Sequence, residues 1–149
     1  MTAGFILERR PALRSFGAAG DLTEELMSTD AIAKDLANLC REGKSMEAIS
    51  KYYSDEIVSV ESAGSPGMPA EMKGIEAIKG KNQWWFENHE VHSAGVNGPF
   101  VGENQFAIEF DFDVTHKPSG KRIQMTEMAL YTVEGGKIVR EHFFYNPGA

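Results

Sequence analysis

Only one cysteine, Cys40, occurs among the 149 residues, so the chain forms no internal disulfide and no cysteine-built metal site. That scarcity fits a reducing compartment, and a cytoplasmic location is the expectation. No apolar run approaches the ~18 residues that a membrane helix needs, so no transmembrane segment is expected. Clustered lysine and arginine are missing too. With a formal charge of -7 and an isoelectric point of about 5.1, neither nucleic acid nor an anionic membrane is an expected partner. The sequence carries no internal repeat and no low-complexity tract. No Ser–His–Asp or Cys–His arrangement can be read from it, and Gly64-Ser65-Pro66-Gly67 lacks the lysine and the spacing of a phosphate-binding loop.

What is present is the composition of a soluble globular chain, with 42% hydrophobic and 25% charged residues and a mean hydropathy of -0.33. Its length suits one domain. Residues 1–20 read as a tail, because Gly4, Pro11, Gly17 and Gly20 interrupt any helix and Arg9, Arg10 and Arg14 face Glu8 alone. Residues 21–149 read as a single domain. Asp21 with Glu24 three residues on has the form of a capping box and opens a short helical turn. From Asp30, the residues Ile32, Leu36, Leu39 and Cys40 fall on one helical face, and Gly43 offers a left-handed stop. Cys40 therefore reads as a buried core thiol. Ser45 caps a second helix through Met46, Ile49, Tyr52 and Tyr53, and Asp55–Ser62 reads as a strand. Ala63–Gly74 is expected to be loop, and its apolar part around Met68 and Met72 to lid a cavity or simply to connect.

A third helix runs from Ile75 to about His89, with Asn82, Trp85 and His89 along the stripe that starts at Ile78. Beyond it the period changes to two, predicting a weak strand over Val91–Val96 and strong ones over Phe106–Thr115, Arg122–Val133 and Lys137–Tyr145. Helices followed by an antiparallel meander make an α+β domain.

The apolar faces of the strands contain two anomalies. Glu127 interrupts Met125, Ala129, Tyr131 and Val133, and Glu141 interrupts Val139, Phe143 and Tyr145, leaving Ile138, Arg140, His142 and Phe144 on the other face. A four-residue loop at Lys117–Gly120 opposes Phe110 to Glu127. A three-residue loop at Glu134–Gly136 opposes Tyr131 to Val139, Ala129 to Glu141 and Glu127 to Phe143, matching the apolar faces again. A two-residue Gly135-Gly136 turn is equally good locally but separates the two glutamates onto opposite faces. Under the matched register Glu141 is one diagonal step from Glu127. Burial and a like-charged neighbour then raise at least one pKa toward the range useful for proton transfer. The competing account is a polar cluster in which Asn82, His89 or Arg140 satisfies each glutamate and only packing is set.

The order of two helices, a strand, a Gly/Pro-rich loop, a helix ending in Trp84-Trp85-Phe86-Glu87-Asn88-His89 and a meander closing on Gly136-Lys137-Ile138-Val139-Arg140-Glu141-His142-Phe143-Phe144-Tyr145 resembles the SnoaL-like polyketide cyclase family. That family belongs to the nuclear transport factor 2-like superfamily, alongside ketosteroid isomerase and scytalone dehydratase. The resemblance covers about residues 30–146 and includes the helix start Gly74-Ile75-Glu76-Ala77-Ile78-Lys79-Gly80. It implies a cone of curved antiparallel sheet closed by helices around an internal pocket. It also implies a homodimer through the outer sheet face, where His142 lies. Laid against ketosteroid isomerase, Glu61 takes the place of the catalytic base, whereas Leu36 and Ala129 stand where that enzyme has its tyrosine and protonated-aspartate donors. Glu127, one pleat from Ala129, is able to supply a donor from a shifted position. Alternation gives Glu61 a second place at the rim, since Val58 and Val60 on the other face also claim the core.

The expectation is therefore a cofactor-independent acid/base enzyme of isomerase, cyclase or dehydratase type, acting on a small hydrophobic organic ligand. Glu127 is the main acid or base, Glu141 its electrostatic partner, Glu61 a further candidate base, and His89 or Asn82 a hydrogen-bonding anchor. Trp85, Phe110, Tyr131, Phe143 and Tyr145 form the walls. No metal is expected, because His89 and His92 straddle a helix end without a third ligand at a known spacing. The alternative is a non-catalytic ligand-binding or dimerisation module of the same fold. An open cavity of several hundred Å3 beside the glutamates separates the two.

Overall fold

The computed structural model describes residues 27–147; the tail at 1–20 and the capping box at Asp21 lie outside the described residues. The elements are α1 (Thr29–Arg41), α2 (Ser45–Tyr52), β1 (Tyr53–Val60), β2 (Glu71–Lys73), α3 (Ile75–Asn88), β3 (His89–Val101), β4 (Gln105–His116), β5 (Lys121–Glu134) and β6 (Lys137–Phe144). They form the expected α+β arrangement, with the strands in one six-stranded sheet of order β2-β1-β6-β5-β4-β3. Its two edges do not meet, yet α3 packs on β1 and β2 at one side while its Trp85 meets Phe112 of β4 near the other. Only a strongly curved sheet wrapped around its helices allows that.

Local chemistry accounts for the helices. The Ser28 hydroxyl accepts a 3.1 Å hydrogen bond from the Ala31 N–H at the start of α1, and Asp30 and Arg41 oppose the helix dipole at its two ends. Gly43, at φ 73°, takes the left-handed conformation that ends the helix. The buried face of α1, with Ile32, Leu36 and Leu39, packs into the curve of the sheet; Cys40 is only partly covered. Ser45 does not cap α2. The helix has no side-chain cap, and the Ser45 hydroxyl exchanges hydrogen bonds with Asn82 at 3.2–3.3 Å.

The expected loop at 63–74 contains β2, which pairs antiparallel with Val58–Val60. The strand expected over Val91–Val96 is longer and begins at His89. The meander β3–β6 is antiparallel throughout, but β1 enters the sheet parallel to β6, so the sheet is not wholly antiparallel. The core side of β1 is also the reverse of that favoured by its valines. Ile57 and Ser59 are fully buried, while Val58 and Val60 are half-covered on the other face.

The β4–β5 hairpin has the expected register: His116 opposes Lys121, Phe110 opposes Glu127 and Ile108 opposes Ala129. The β5–β6 hairpin does not. Its turn is the two-residue Gly135-Gly136, with φ 57° and 74°, the positive values that only glycine adopts freely at both positions. Val133 pairs with Ile138 and Thr132 with Arg140, leaving Val139 as an extra bulged residue. The bulge shifts the register so that Tyr131 opposes Glu141 and Ala129 opposes Phe143. Ile138, expected on the outer face, is fully buried in the core. Glu141 still shares the inner face with Glu127, through the bulge and not through a longer loop.

Candidate active site

Two carboxylates and one lysine meet on the inner side of the sheet, and a third carboxyl, Glu127, faces the same side. Lys81 lies on α3 three residues after the buried Ile78, so the same helical face that packs on the sheet delivers its ammonium there. Its Nζ donates to the Ser59 hydroxyl at 2.6 Å and to Glu61 Oε1 at 2.7 Å, and lies 3.9 Å from Glu141 Oε1. Ser59 in turn donates to Glu141 Oε1 at 2.7 Å, and the Tyr53 hydroxyl donates to Glu141 Oε2. The Tyr131 hydroxyl lies beside that of Tyr53. Glu141, only 2% exposed, thus has a partner on each oxygen. Burial pushes its pKa up, opposed by Lys81, Tyr53 and Ser59.

Glu61 and Tyr145 complete the cluster from the ends of β1 and β6. The Ser62 hydroxyl donates to the Phe143 carbonyl at 2.9 Å and accepts from the Tyr145 N–H at 3.0 Å, tying the two chain segments together. The Tyr145 hydroxyl interacts with Glu61, and burial, with Glu61 beside it, pushes its pKa up to about 12. Of the two places open to Glu61, its side chain takes the inner one, paired with Lys81.

Glu127 is different. It lies opposite Phe110, and no hydrogen bond or ion pair reaches its carboxyl among the described residues. Burial is the largest cause that raises its pKa to about 7, followed by the charges of Glu61 and Glu141, with Lys81 opposing. The shifted register removes the single diagonal step between Glu127 and Glu141: Glu141 faces Tyr131, four residues along β5, or roughly 13 Å of strand. Glu61 is accordingly the stronger like-charge influence on Glu127.

The remaining expected site residues divide. Phe110 is buried beside Glu127 and stacks on Phe112 at 6.2 Å, and Trp85 meets Phe112 at 5.2 Å, so an aromatic row leads from α3 to Glu127. Phe143 lies under Lys81, whose Nζ is 5.2 Å from the ring centre. Tyr131 is not a wall of an open site; it is buried in the core, stacked on Phe106 at 4.7 Å.

Asn82 and His89 are not brought to the carboxylates by any contact among the described residues. Asn82 binds Ser45, and the His89 ring stacks on Trp85 at 4.4 Å with Nδ1 2.8 Å from the Trp85 carbonyl. Burial lowers the His89 pKa. Arg140 is exposed, so the glutamates are not satisfied by the residues expected for a packing cluster. Two hollows, of about 490 and 520 Å3, lie elsewhere. The first lies between the α1–α2 turn and α3, near Ser45, Asn82 and Phe86; the second lies near Asp55, Ile75 and Lys137. Neither includes a glutamate of the cluster.

Sequence reasoning missed Lys81, Ser59 and Tyr53. A lysine three residues after the buried Ile78 was the available signal for the first; Ser59 and Tyr53 share their strand face with Glu61.

The sequence matches the SnoaL-like domain over residues 27–145. The chain belongs to the SnoaL-like domain family. A similar solved structure, 47% identical with a TM-score of 0.76, is a candidate SnoaL-like polyketide cyclase from Mesorhizobium loti that is also labelled a carbohydrate phosphatase; the match covers 80% of this chain and 100% of that one. A ketosteroid isomerase-like fold from Catenulispora acidiphila, in complex with trimethylamine, matches 80% of this chain and 88% of that one at 19% identity and a TM-score of 0.62. A cystatin-like fold from Xanthomonas campestris matches 80% and 91% at 16% identity and 0.65. The last two show the shared fold alone. No curated protein matches the chain.

Proposed function

We propose that this SnoaL-like protein is a cofactor-independent acid/base enzyme that moves a proton on a small, largely apolar organic molecule, with Glu127 as the acid or base. Isomerisation, aldol-type cyclisation and dehydration all fit. The observation that carries the reading is Glu127 itself, a half-buried carboxyl without a hydrogen-bond partner among the described residues, whose pKa of about 7 leaves both protonation states populated near neutral pH. Phe110, Phe143, Tyr145 and, through Phe112, Trp85 supply the apolar surroundings. Glu141 and Glu61 act on Glu127 as charges, and Glu61 has its own pairing with Lys81. Phosphate-ester hydrolysis fits less well, because an anionic substrate would approach three carboxyls opposed by one lysine.

Small ketones incubated with the protein in D2O and followed by proton NMR test the reading. Exchange of the α-protons is expected to fall by about 100-fold or more in Glu127→Gln. Exchange at an unchanged rate in that variant counts against it.

The second reading, a non-catalytic ligand-binding module, is favoured by one observation: the two hollows described lie away from the glutamates. Binding of a ketone without any Glu127-dependent exchange selects it. The outer sheet face, where Phe144 is 46% exposed and stacks on His142 at 4.2 Å, is the surface we assign to pairing with a second copy, which sedimentation of Phe144→Glu tests.

A further inference from the structure

We propose that Lys81 is the ligand's oxygen-binding residue, donating its remaining N–H to a carbonyl or hydroxyl oxygen, so that the site takes neutral oxygen-bearing molecules and not plain hydrocarbons or carboxylates. The inference rests on the reading of Glu127 as the proton-transfer group and adds the substrate class. An ammonium has three N–H donors. Two are engaged, by Ser59 at 2.6 Å and Glu61 at 2.7 Å. The next oxygen, on Glu141, is 3.9 Å away, beyond hydrogen-bond reach, and the Phe143 ring centre is at 5.2 Å. The side chain keeps 13% of its surface exposed, so it is covered but not sealed.

Geometry also fixes the direction of the ammonium. Ser59 and Glu61 hold it from β1, Ile78 anchors α3 one turn before it, and Phe143 borders it on β6. Leu36 and Ala129, on the same inner side, are buried core residues without a donor. Lys81 is a cation facing the same interior as Glu127, and its charge acts on that carboxyl. When the Glu127 carboxylate takes an α-proton, the C–H electron pair becomes the new C=C bond and the carbonyl π pair moves onto oxygen. The Lys81 N–H then holds that oxygen while Glu127 carries the proton. Total charge in the site is unchanged by the step. A ligand that is already anionic gains no such balance, since Glu61 and Glu141 already neutralise the lysine.

The test uses 2-tetralone labelled with 13C at the carbonyl, with tetralin as the hydrocarbon control and 2-naphthoate as the carboxylate control. In the wild-type chain the bound carbonyl carbon should move downfield and the Lys81 15Nζ signal should shift on ketone addition. Lys81→Met should lose the carbonyl shift and weaken ketone binding by about 10-fold or more, toward the weak or absent binding that tetralin and 2-naphthoate show with the wild-type chain. Lys81→Arg should recover part of the shift. An unchanged carbonyl shift in Lys81→Met, a Lys81 signal that ignores the bound ketone, equal affinity for tetralin and 2-tetralone, or no ketone binding up to its solubility limit each overturns the assignment. The 15N measurement needs no variant, so a poorly folding Lys81→Met leaves the test intact. Loss of Glu127-dependent exchange with the Lys81 shifts retained overturns the enzyme reading alone.

Discussion

Two glutamates on one inner sheet face meet opposite conditions. At the closed end, Glu141 faces Tyr131 and lies within electrostatic reach of Cys40 on α1, and it has Tyr53, Ser59 and Lys81 around its oxygens. Further along the sheet, Phe112 on β4 and Met125 and Glu127 on β5 are only half-buried, and Glu127 has no such partners among the described residues. Burial raises both pKa values, but at Glu141 it is opposed by three favourable contacts and at Glu127 only by Lys81 at a distance. The difference teaches that a carboxyl becomes a usable acid by burial without partners. A buried carboxyl with partners becomes structure.

The comparison breaks most readily at the closed end. Glu141→Leu strands the Tyr53 and Ser59 hydroxyls and leaves Lys81 with one carboxylate fewer, so urea denaturation should show a loss of about 3–5 kcal/mol. A loss below about 1 kcal/mol would show that this carboxylate is not what the surrounding donors are built for. Leu36→Ala, on the buried face of α1, should cost about 2–5 kcal/mol by the same measurement and leave the Glu127 titration where it was. If that titration also moves, the two ends are not independent.

Glu127→Gln should have the opposite sign. A carboxyl whose pKa rises from 4.5 to about 7 on folding binds its proton more tightly in the folded state. Its favourable contribution is complete below the unfolded pKa and is lost as pH rises through the folded one, so stability should fall between about pH 4.5 and 7 and then level off. At pH 8 the Gln variant should be more stable by about 1–3 kcal/mol, with a flatter pH profile. A variant less stable than wild type at pH 8 would give Glu127 a structural role. The smallest effect is expected at an ion pair in water. Lys34→Ala removes the 2.8 Å contact with Asp30, both side chains being more than half exposed, and should change thermal stability by less than about 0.5 kcal/mol.

The fold was legible where the pattern was unbroken. Phe106, Ile108, Phe110, Phe112 and Val114 alternate without interruption, and Lys117–Gly120 makes a loop of defined length, so the β4–β5 register followed from the residues. The β5–β6 register did not. A bulge at Val139 has no side-chain marker, and the glycine pair allowed either a two- or a three-residue loop. The longer loop put both glutamates inward, as they are, but placed Glu127 opposite Phe143 and too near Glu141. β1 misled through its valines, since polar Ser59 and Glu61 lie inward to meet Lys81, and no local preference announces a long-range polar contact. Asn82 and His89 fell on the stripe drawn from Ile78, yet α3 turns Lys81 toward the sheet and leaves Asn82 to Ser45. The polar residues at the site belong to four elements far apart in sequence, which periodicity within one element does not reveal.

The most direct test of the central claim is the pH titration of the Glu127 side-chain carboxyl by 13C NMR, assigned with Glu127→Gln. A midpoint near 7 is the result this account predicts. A midpoint in the ordinary glutamate range, about 4–4.5, would place the carboxyl in water and contradict it.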